Sequence, residues 1–275
     1  MSSVMRIAAI GLSLFVAMPG LAAPRAPVSE IVMDAGTGQV IEEDNADRAR
    51  PPASLAKMMT LLLAFEAIDA GTLKPGGSIR MTAAGERQPP SRLGLRRGRS
   101  IPVDAALRAV AVISANDVAV AIGDHLAGNE RAFVARMNAR ARELGMSSTR
   151  FGNATGLAPG AGRTTARDIA VLARHLIRAE ARHYKLFRTR SITWERQTRP
   201  NHNKLLGKVE GLDGLKTGYT VEAGFNLAAS ARRGARRVIV VVMGAPSGAA
   251  RDLLVANLME VGFTEPRLRR PRGQR

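Results

Sequence analysis

Cysteine is absent from the 275 residues, which removes disulfide scaffolds, thiol nucleophiles, iron–sulfur clusters and cysteine-ligated zinc together. Histidine is nearly as scarce. His125, His175, His183 and His202 stand too far apart for a compact His-x-x-x-His pattern, so the sequence carries no expectation of a metal or other cofactor. Long hydrophobic runs are also missing, apart from residues 7–18 near the amino terminus. Twelve apolar residues fall short of the roughly 20 needed to cross a bilayer. Acidic residues number 23 against 41 basic ones, for a net charge of +18, and only six of the basic residues are lysine. So strong a positive excess points to an anionic partner, which could be nucleic acid, an acidic membrane face or a polyanionic wall.

Hydrophobic residues at 45% and charged residues at 23% are ordinary for a folded chain, which excludes global disorder. The length allows one large domain or two small ones. Arg6, the apolar run and the small residues Gly20 and Ala22 have the layout of a secretory signal peptide, with the cut expected after Ala22. Export is favoured over a membrane anchor because the run is too short. A chain in the periplasm has little opportunity to meet nucleic acid, so a wall polymer or an anionic lipid surface is the better partner. Residues 266–275 hold five arginines and no acid, and read as a solvated, disordered tail.

Between these ends, residues 31–35 and 39–42 flank Gly36-Thr37-Gly38 and predict a hairpin. Residues 53–70, rich in Ala, Leu and Met after Pro51-Pro52 and closed by Gly71, predict a central helix. The Gly/Pro/Ser-rich stretch 88–98 is the expected functional loop. Helices are expected over 103–113, 117–126, 130–144 and 165–177, strands over 225–230 and 237–243, and a closing helix over 251–261. Strands at both ends with helices between imply an α/β (α+β) domain over residues 26–265, its sheet built from the two termini around a largely helical insert.

Three short motifs carry chemistry. In Ser54-Leu55-Ala56-Lys57, a spacing of three puts hydroxyl and ammonium on one helical face, where burial would lower the lysine pKa and make its amine a base toward the serine. Alone the pair is weak, since six lysines and 14 serines produce about 0.3 such pairs by chance. Ser114-Ala115-Asn116 falls in the break between two helices, where a simple helix cap is the plain alternative. Lys216-Thr217-Gly218 is sharper, with an exposed turn as its alternative. The order and separation of all three decide the reading.

This trio is that of penicillin-binding proteins and class A β-lactamases, and residues 26–263 resemble the low-molecular-mass D-alanyl-D-alanine carboxypeptidases. Asp34-Ala35-Gly36-Thr37-Gly38 and Asp213-Gly214-Leu215-Lys216-Thr217-Gly218-Tyr219-Thr220 extend the resemblance. It implies that Ser54 is the acylated nucleophile, Lys57 its base and Ser114 the relay to the leaving amine. Asn116 would hold the substrate amide, Lys216 would supply positive potential and Thr217 would bind the terminal carboxylate beside Gly218. The N–H groups of Ser54 and Tyr219 would form the oxyanion hole. Arg251 matches an arginine near the substrate carboxylate, with a surface arginine at a helix start as the even alternative. His202 stands where a relative has a second such arginine, which implies a weaker or pH-dependent carboxylate clamp.

The expected substrates are peptidoglycan stem peptides ending in D-Ala-D-Ala, with β-lactams as covalent inhibitors. A β-lactamase would need a carboxylate to activate the deacylating water, and the comparable stretch reads Phe151-Gly152-Asn153-Ala154-Thr155-Gly156-Leu157. A DD-endopeptidase would use the same residues, and a non-catalytic basic wall-binding protein would need none of them. Relatives often continue into a β-rich domain and a membrane helix, so the ending at Arg275 carries the expectation of a soluble or loosely attached protein.

Overall fold

The alternation of side chains in a strand lets one apolar run serve two cores. In the strand Arg236–Ala245, Ile239, Val241 and Met243 face the larger core, while Val238, Val240 and Val242 face the smaller one. This strand is the middle of a five-stranded sheet in a computed structural model that describes residues 27–157 and 160–265. The expected signal peptide and basic tail lie outside the described residues.

In chain order the elements are β1 (Ser29–Asp34), β2 (Val40–Asp44), a 3₁₀ turn (Ala53–Ala56), α1 (Lys57–Asp69), β3 (Ser78–Arg80), α2 (Ala83–Glu86) and β4 (Ser100–Pro102). There follow α3 (Val103–Ile113), α4 (Asn116–Ala127), α5 (Glu130–Glu143), β5 (Arg150–Phe151), β6 (Gly162–Arg163), α6 (Ala166–Arg178) and α7 (Ala181–Tyr184). A second 3₁₀ turn (Lys185–Arg188), β7 (Ser191–Trp194), β8 (Gln197–Pro200), β9 (Leu212–Thr220), β10 (Gly224–Arg233), β11 (Arg236–Ala245) and α8 (Gly248–Thr264) complete the chain. The main sheet runs β2-β1-β11-β10-β9, all antiparallel, so both ends of the chain build it.

Helices cover both faces. On one side α1, α3, α4 and α6 bury Leu61, Phe65, Val110, Ile122 and Leu172 in the larger core; on the other α8 buries Val255, Leu258 and Met259. Helix α1 is buried along most of its length, as its apolar circumference predicts. Caps set the helix starts: Asn129 accepts from the Ala132 N–H, Thr165 from Asp168 and Ser247 from Ala250.

Two expectations need correction, and one element had no signal in the sequence. The helix expected over 53–70 is a 3₁₀ turn followed by α1, and Ala53 enters that turn with φ +45°. Lys216-Thr217-Gly218, for which an exposed turn was the alternative, lies inside a strand, β9, at the sheet edge. Hairpin β7–β8 had no turn signal, because its turn puts Glu195 and Arg196 at φ +45° and +66°, a conformation that Gly or Asn would normally announce.

Candidate active site

In a 3₁₀ turn three residues complete one revolution, so positions i and i+3 eclipse. Ser54 and Lys57 are therefore brought closer than α-helical spacing would bring them, and Lys57 Nζ donates to Ser54 Oγ at 2.9 Å. The lysine is wholly buried. Desolvation, then the positive charge of Lys216, hold its pKa well below 10.5, against a smaller opposing pull from Asp117. A neutral amine at hydrogen-bond distance from a hydroxyl can take that hydroxyl's proton.

The amine has a second partner, the Thr155 carbonyl at 2.9 Å. That carbonyl belongs to a loop tied by one side chain, since Asn153 Oδ1 accepts from Thr155 N–H, Thr155 Oγ1 and Gly156 N–H. Thr60 Oγ1 donates to the neighbouring Ala154 carbonyl at 2.8 Å. Gly156 has φ +74°, and a Cβ there would meet the Ala53 carbonyl oxygen at 1.7 Å, so only glycine lets this loop seat beneath the serine. The loop's role was not evident from the sequence, because it acts through a backbone carbonyl that any residue could supply.

Ser114 ends α3 in the left-handed region, φ +61°, as its break position implied, and its hydroxyl is shielded and makes no hydrogen bond. Asn116 begins α4. Its Nδ2 donates to the Pro89 carbonyl at 2.9 Å, while its Oδ1 is left without a partner. The loop expected over 88–98 thus forms one wall. Asp117 pins it by accepting from the Leu93 and Gly94 N–H groups at 3.1 and 2.8 Å, and Ser91 Oγ donates to the Ile113 carbonyl. Asp117 was not singled out from sequence, since an acid in the first turn of a helix is commonplace.

Strand β9 supplies the opposite wall. Its partner β10 occupies one edge only, so its other edge meets the 3₁₀ turn. A Cβ on Gly218 would stand 3.1 Å from Ser54 N, which explains a glycine at this position. Lys216 is buried, with Nζ donating to the Thr217 carbonyl at 3.0 Å, and desolvation followed by the charge of Arg251 pushes its pKa down to about 7. Tyr219 is half exposed and packs on Phe225 at 4.2 Å between ring centroids.

Arg251 is not a surface residue: it is 6% exposed, lines the cleft and pairs with Asp252 at 2.6 Å. His202 lines the mouth of the same cleft. Desolvation, then Lys216, Lys57, Arg199 and Arg251, push its pKa down to about 4. At neutral pH His202 therefore brings no charge.

Ser54, Ser114, Asn116, Thr217, Gly218, Tyr219, His202 and Arg251 all line one cleft of about 480 Å³, with no acidic residue among its described lining. Lys57 and Lys216 lie buried beneath it. Three motifs distant in sequence thus converge on one hydroxyl with a base, a proton-bearing neighbour and a positive wall. The sequence profile of the S11 peptidases, described as D-alanyl-D-alanine carboxypeptidase, matches residues 21–247.

This chain belongs to the D-alanyl-D-alanine carboxypeptidase family. It is 34% identical to the D-alanyl-D-alanine carboxypeptidase DacF of Bacillus subtilis over 86% of the chain, and 38% identical to DacD of Salmonella typhimurium over 87%. It spans 62% and 64% of those relatives' lengths. Among solved structures, the ampicillin-bound form of penicillin-binding protein D2 from Listeria monocytogenes is 33% identical, with a TM-score of 0.79 over 90% of this chain and all of that one. The α/β architecture is that of the family, with the sheet assembled from both chain ends.

Proposed function

We propose that this chain is a serine-type D-Ala-D-Ala carboxypeptidase that removes the terminal D-alanine of peptidoglycan pentapeptide stems through an acyl-enzyme on Ser54. The observation that carries the reading is the 2.9 Å contact between a buried, neutral-tending Lys57 and Ser54 at the floor of the shared cleft. Ser54 Oγ attacks the penultimate D-Ala carbonyl carbon as its proton passes to Lys57 Nζ. The oxyanion is held by the N–H groups of Ser54 and Tyr219. The C–N bond then breaks, and the amine of the departing D-alanine takes a proton from Lys57 through Ser114. Water then attacks the ester carbonyl carbon while Lys57 Nζ takes its proton, the acyl–Oγ bond breaks, and that proton passes to Ser54 Oγ, which restores the free serine and releases the shortened peptide.

Binding follows the charges. The substrate's terminal carboxylate meets Thr217 and the potential of Lys216 and Arg251, and its amide pairs with Asn116. The free Oδ1 of Asn116 and free hydroxyl of Ser114 are acceptor and donor sites that the fold leaves unspent. Penicillin acylates the same serine and stays bound, because the described lining of the cleft offers no carboxylate to activate a deacylating water.

Digestion of pentapeptide muropeptides beside cross-linked dimers, with products identified by mass, tests the reading. Release of D-alanine from pentapeptides supports it; cleavage of dimers alone would assign a DD-endopeptidase, and no cleavage of either would leave a wall-binding protein.

The activity should be bell-shaped in pH. Lys57 must be neutral to act as base, so the rate rises with pH through its lowered pKa. Lys216 must be charged to attract the carboxylate, so kcat/KM should fall again above about 7. A flat kcat/KM between pH 7 and 9 on a short D-Ala-D-Ala peptide would remove Lys216 from carboxylate binding.

Export by residues 1–22 to the periplasm belongs to the same proposal, supported by their composition. So does attraction of the five arginines after Glu265 to anionic lipid or wall polymer. Deleting residues 266–275 should weaken binding to anionic vesicles at low salt and leave hydrolysis of a soluble peptide unchanged. Equal binding at low salt would refute the tail's role.

A further inference from the structure

Away from the cleft, the end of α1, the end of α6 and the start of α7 gather Glu66, Asp69, His175, Glu180 and His183. Among the described residues two trios have ligand atoms all within 4.8 Å of one another: Glu66, His175 and Glu180, and Asp69, Glu180 and His183. The first is already filled by protein. Arg140 Nε donates to Glu66 Oε1 at 2.7 Å, its Nη2 lies 3.2 Å from His175 Nε2, and its side chain is largely covered.

The second trio differs in what competes for it. Glu180 is 6% exposed, yet its Oε2 is shielded from water and has no hydrogen-bond partner. A buried carboxylate oxygen without a donor is an unmet demand for positive charge. Asp69 Oδ1 lies 2.7 Å from His183 Nε2, and the ring of His183 stacks on Phe65 at 4.8 Å, which holds its plane. Arg182 touches Asp69 and donates from Nε to His183 Nε2 at 3.2 Å, but its side chain is 66% exposed, against 24% for Arg140, and can swing into solvent as an ion enters. Glu180 and His183 are three residues apart, a spacing that puts both on one side of a helical turn.

We propose that Asp69, Glu180 and His183 form a divalent-cation site of the zinc type. Two carboxylates balance the ion's charge, and one imidazole with two oxygens suits borderline metals, water completing the tetrahedron. Tetrahedral zinc spaces its ligand atoms about 3.3 Å apart, so the trio needs only small side-chain rotations. The ion would clip α7 to the carboxyl end of α1, about 18 Å along the helix from Lys57. Its effect is therefore on stability and not on the chemistry of the cleft.

The test titrates ZnCl₂ by calorimetry into the purified protein, carrying no histidine tag and stripped with a chelator, and follows thermal unfolding with and without the metal. One zinc per chain and a rise in Tm of roughly 5 °C or more at saturating zinc are expected. Glu180→Gln should abolish both while leaving the metal-free Tm equal or higher and penicillin labelling of the cleft unchanged. Asp69→Asn, a substitution at a more exposed position, should weaken uptake at least tenfold and serves if the first variant does not fold. Absence of saturable uptake, or uptake unaltered by Asp69→Asn, would overturn the site and mark Glu180 as a carboxyl that is simply protonated in the fold.

Discussion

Ser54→Ala is expected to abolish covalent labelling by penicillin and to reduce peptide hydrolysis on the order of 10⁵-fold. The side chain is small, sits on a 3₁₀ turn whose backbone bonds do not use the hydroxyl, and loses only the 2.9 Å contact from Lys57. The fold should thus be preserved. Binding of uncleaved peptide should survive as well, because Thr217, Asn116, Lys216 and Arg251 are untouched. Peptide mapping of wild-type protein should place the label on Ser54. Label on any other serine, or wild-type hydrolysis by the variant, would remove Ser54 as the nucleophile.

Lys57→Met is expected to slow acylation by about 10³-fold, within the range of a lost general base and equal to about 4 kcal/mol of barrier. Methionine keeps the length and apolar body of the lysine but offers no nitrogen, so Ser54 Oγ keeps its proton and the Thr155 carbonyl loses its donor. Stability should not fall in step. Burial depresses the folded-state pKa of Lys57 below its unfolded value near 10.5. The unfolded chain therefore binds the extra proton, and this lysine opposes folding below that pH. The opposition diminishes as pH rises towards 10.5, where the unfolded lysine also becomes neutral. Replacing it should leave Tm at neutral pH equal or higher, with the difference shrinking at alkaline pH. The rising limb of the pH–rate profile should vanish in the variant. Acylation at the wild-type rate, or an unchanged acidic limb, would show that another group is the base.

Both effects depend on groups the chain keeps far apart in sequence, and the readability of each followed its physical origin. The continuous apolar run 238–243 and the apolar stretch 57–65 were legible, because a strand covered on both faces or a helix enclosed all round selects apolar residues without interruption. The hairpin through Gly36-Thr37-Gly38 was legible from turn chemistry. Strand β9 was not: Gly214 and Gly218 dilute its β propensity, and Gly218 is demanded by the approach of Ser54, a contact no local pattern can report. The boundary between the 3₁₀ turn and α1 was hidden for a similar reason. Ala53 adopts φ +45° only because the surrounding loop and strand hold it there.

Sequence alone determined which side chains could carry the reaction, since a serine–lysine pair, Ser-x-Asn and Lys-Thr-Gly in order are chemical requirements written as residue types. It also determined the chain's own positive charge and the α/β class. Only the tertiary structure decided what state those side chains are in. Enclosure lowers Lys57 and, with the charge of Arg251, brings Lys216 down to about 7; desolvation and the positive charges around it hold His202 neutral, and close packing makes Arg251 a buried wall of the cleft. Protonation depends on dielectric surroundings and on charges within a few ångströms. Most of those neighbours sit on other elements, with Lys57 and Lys216 drawn from opposite ends of the domain, so no short window of sequence contains them all.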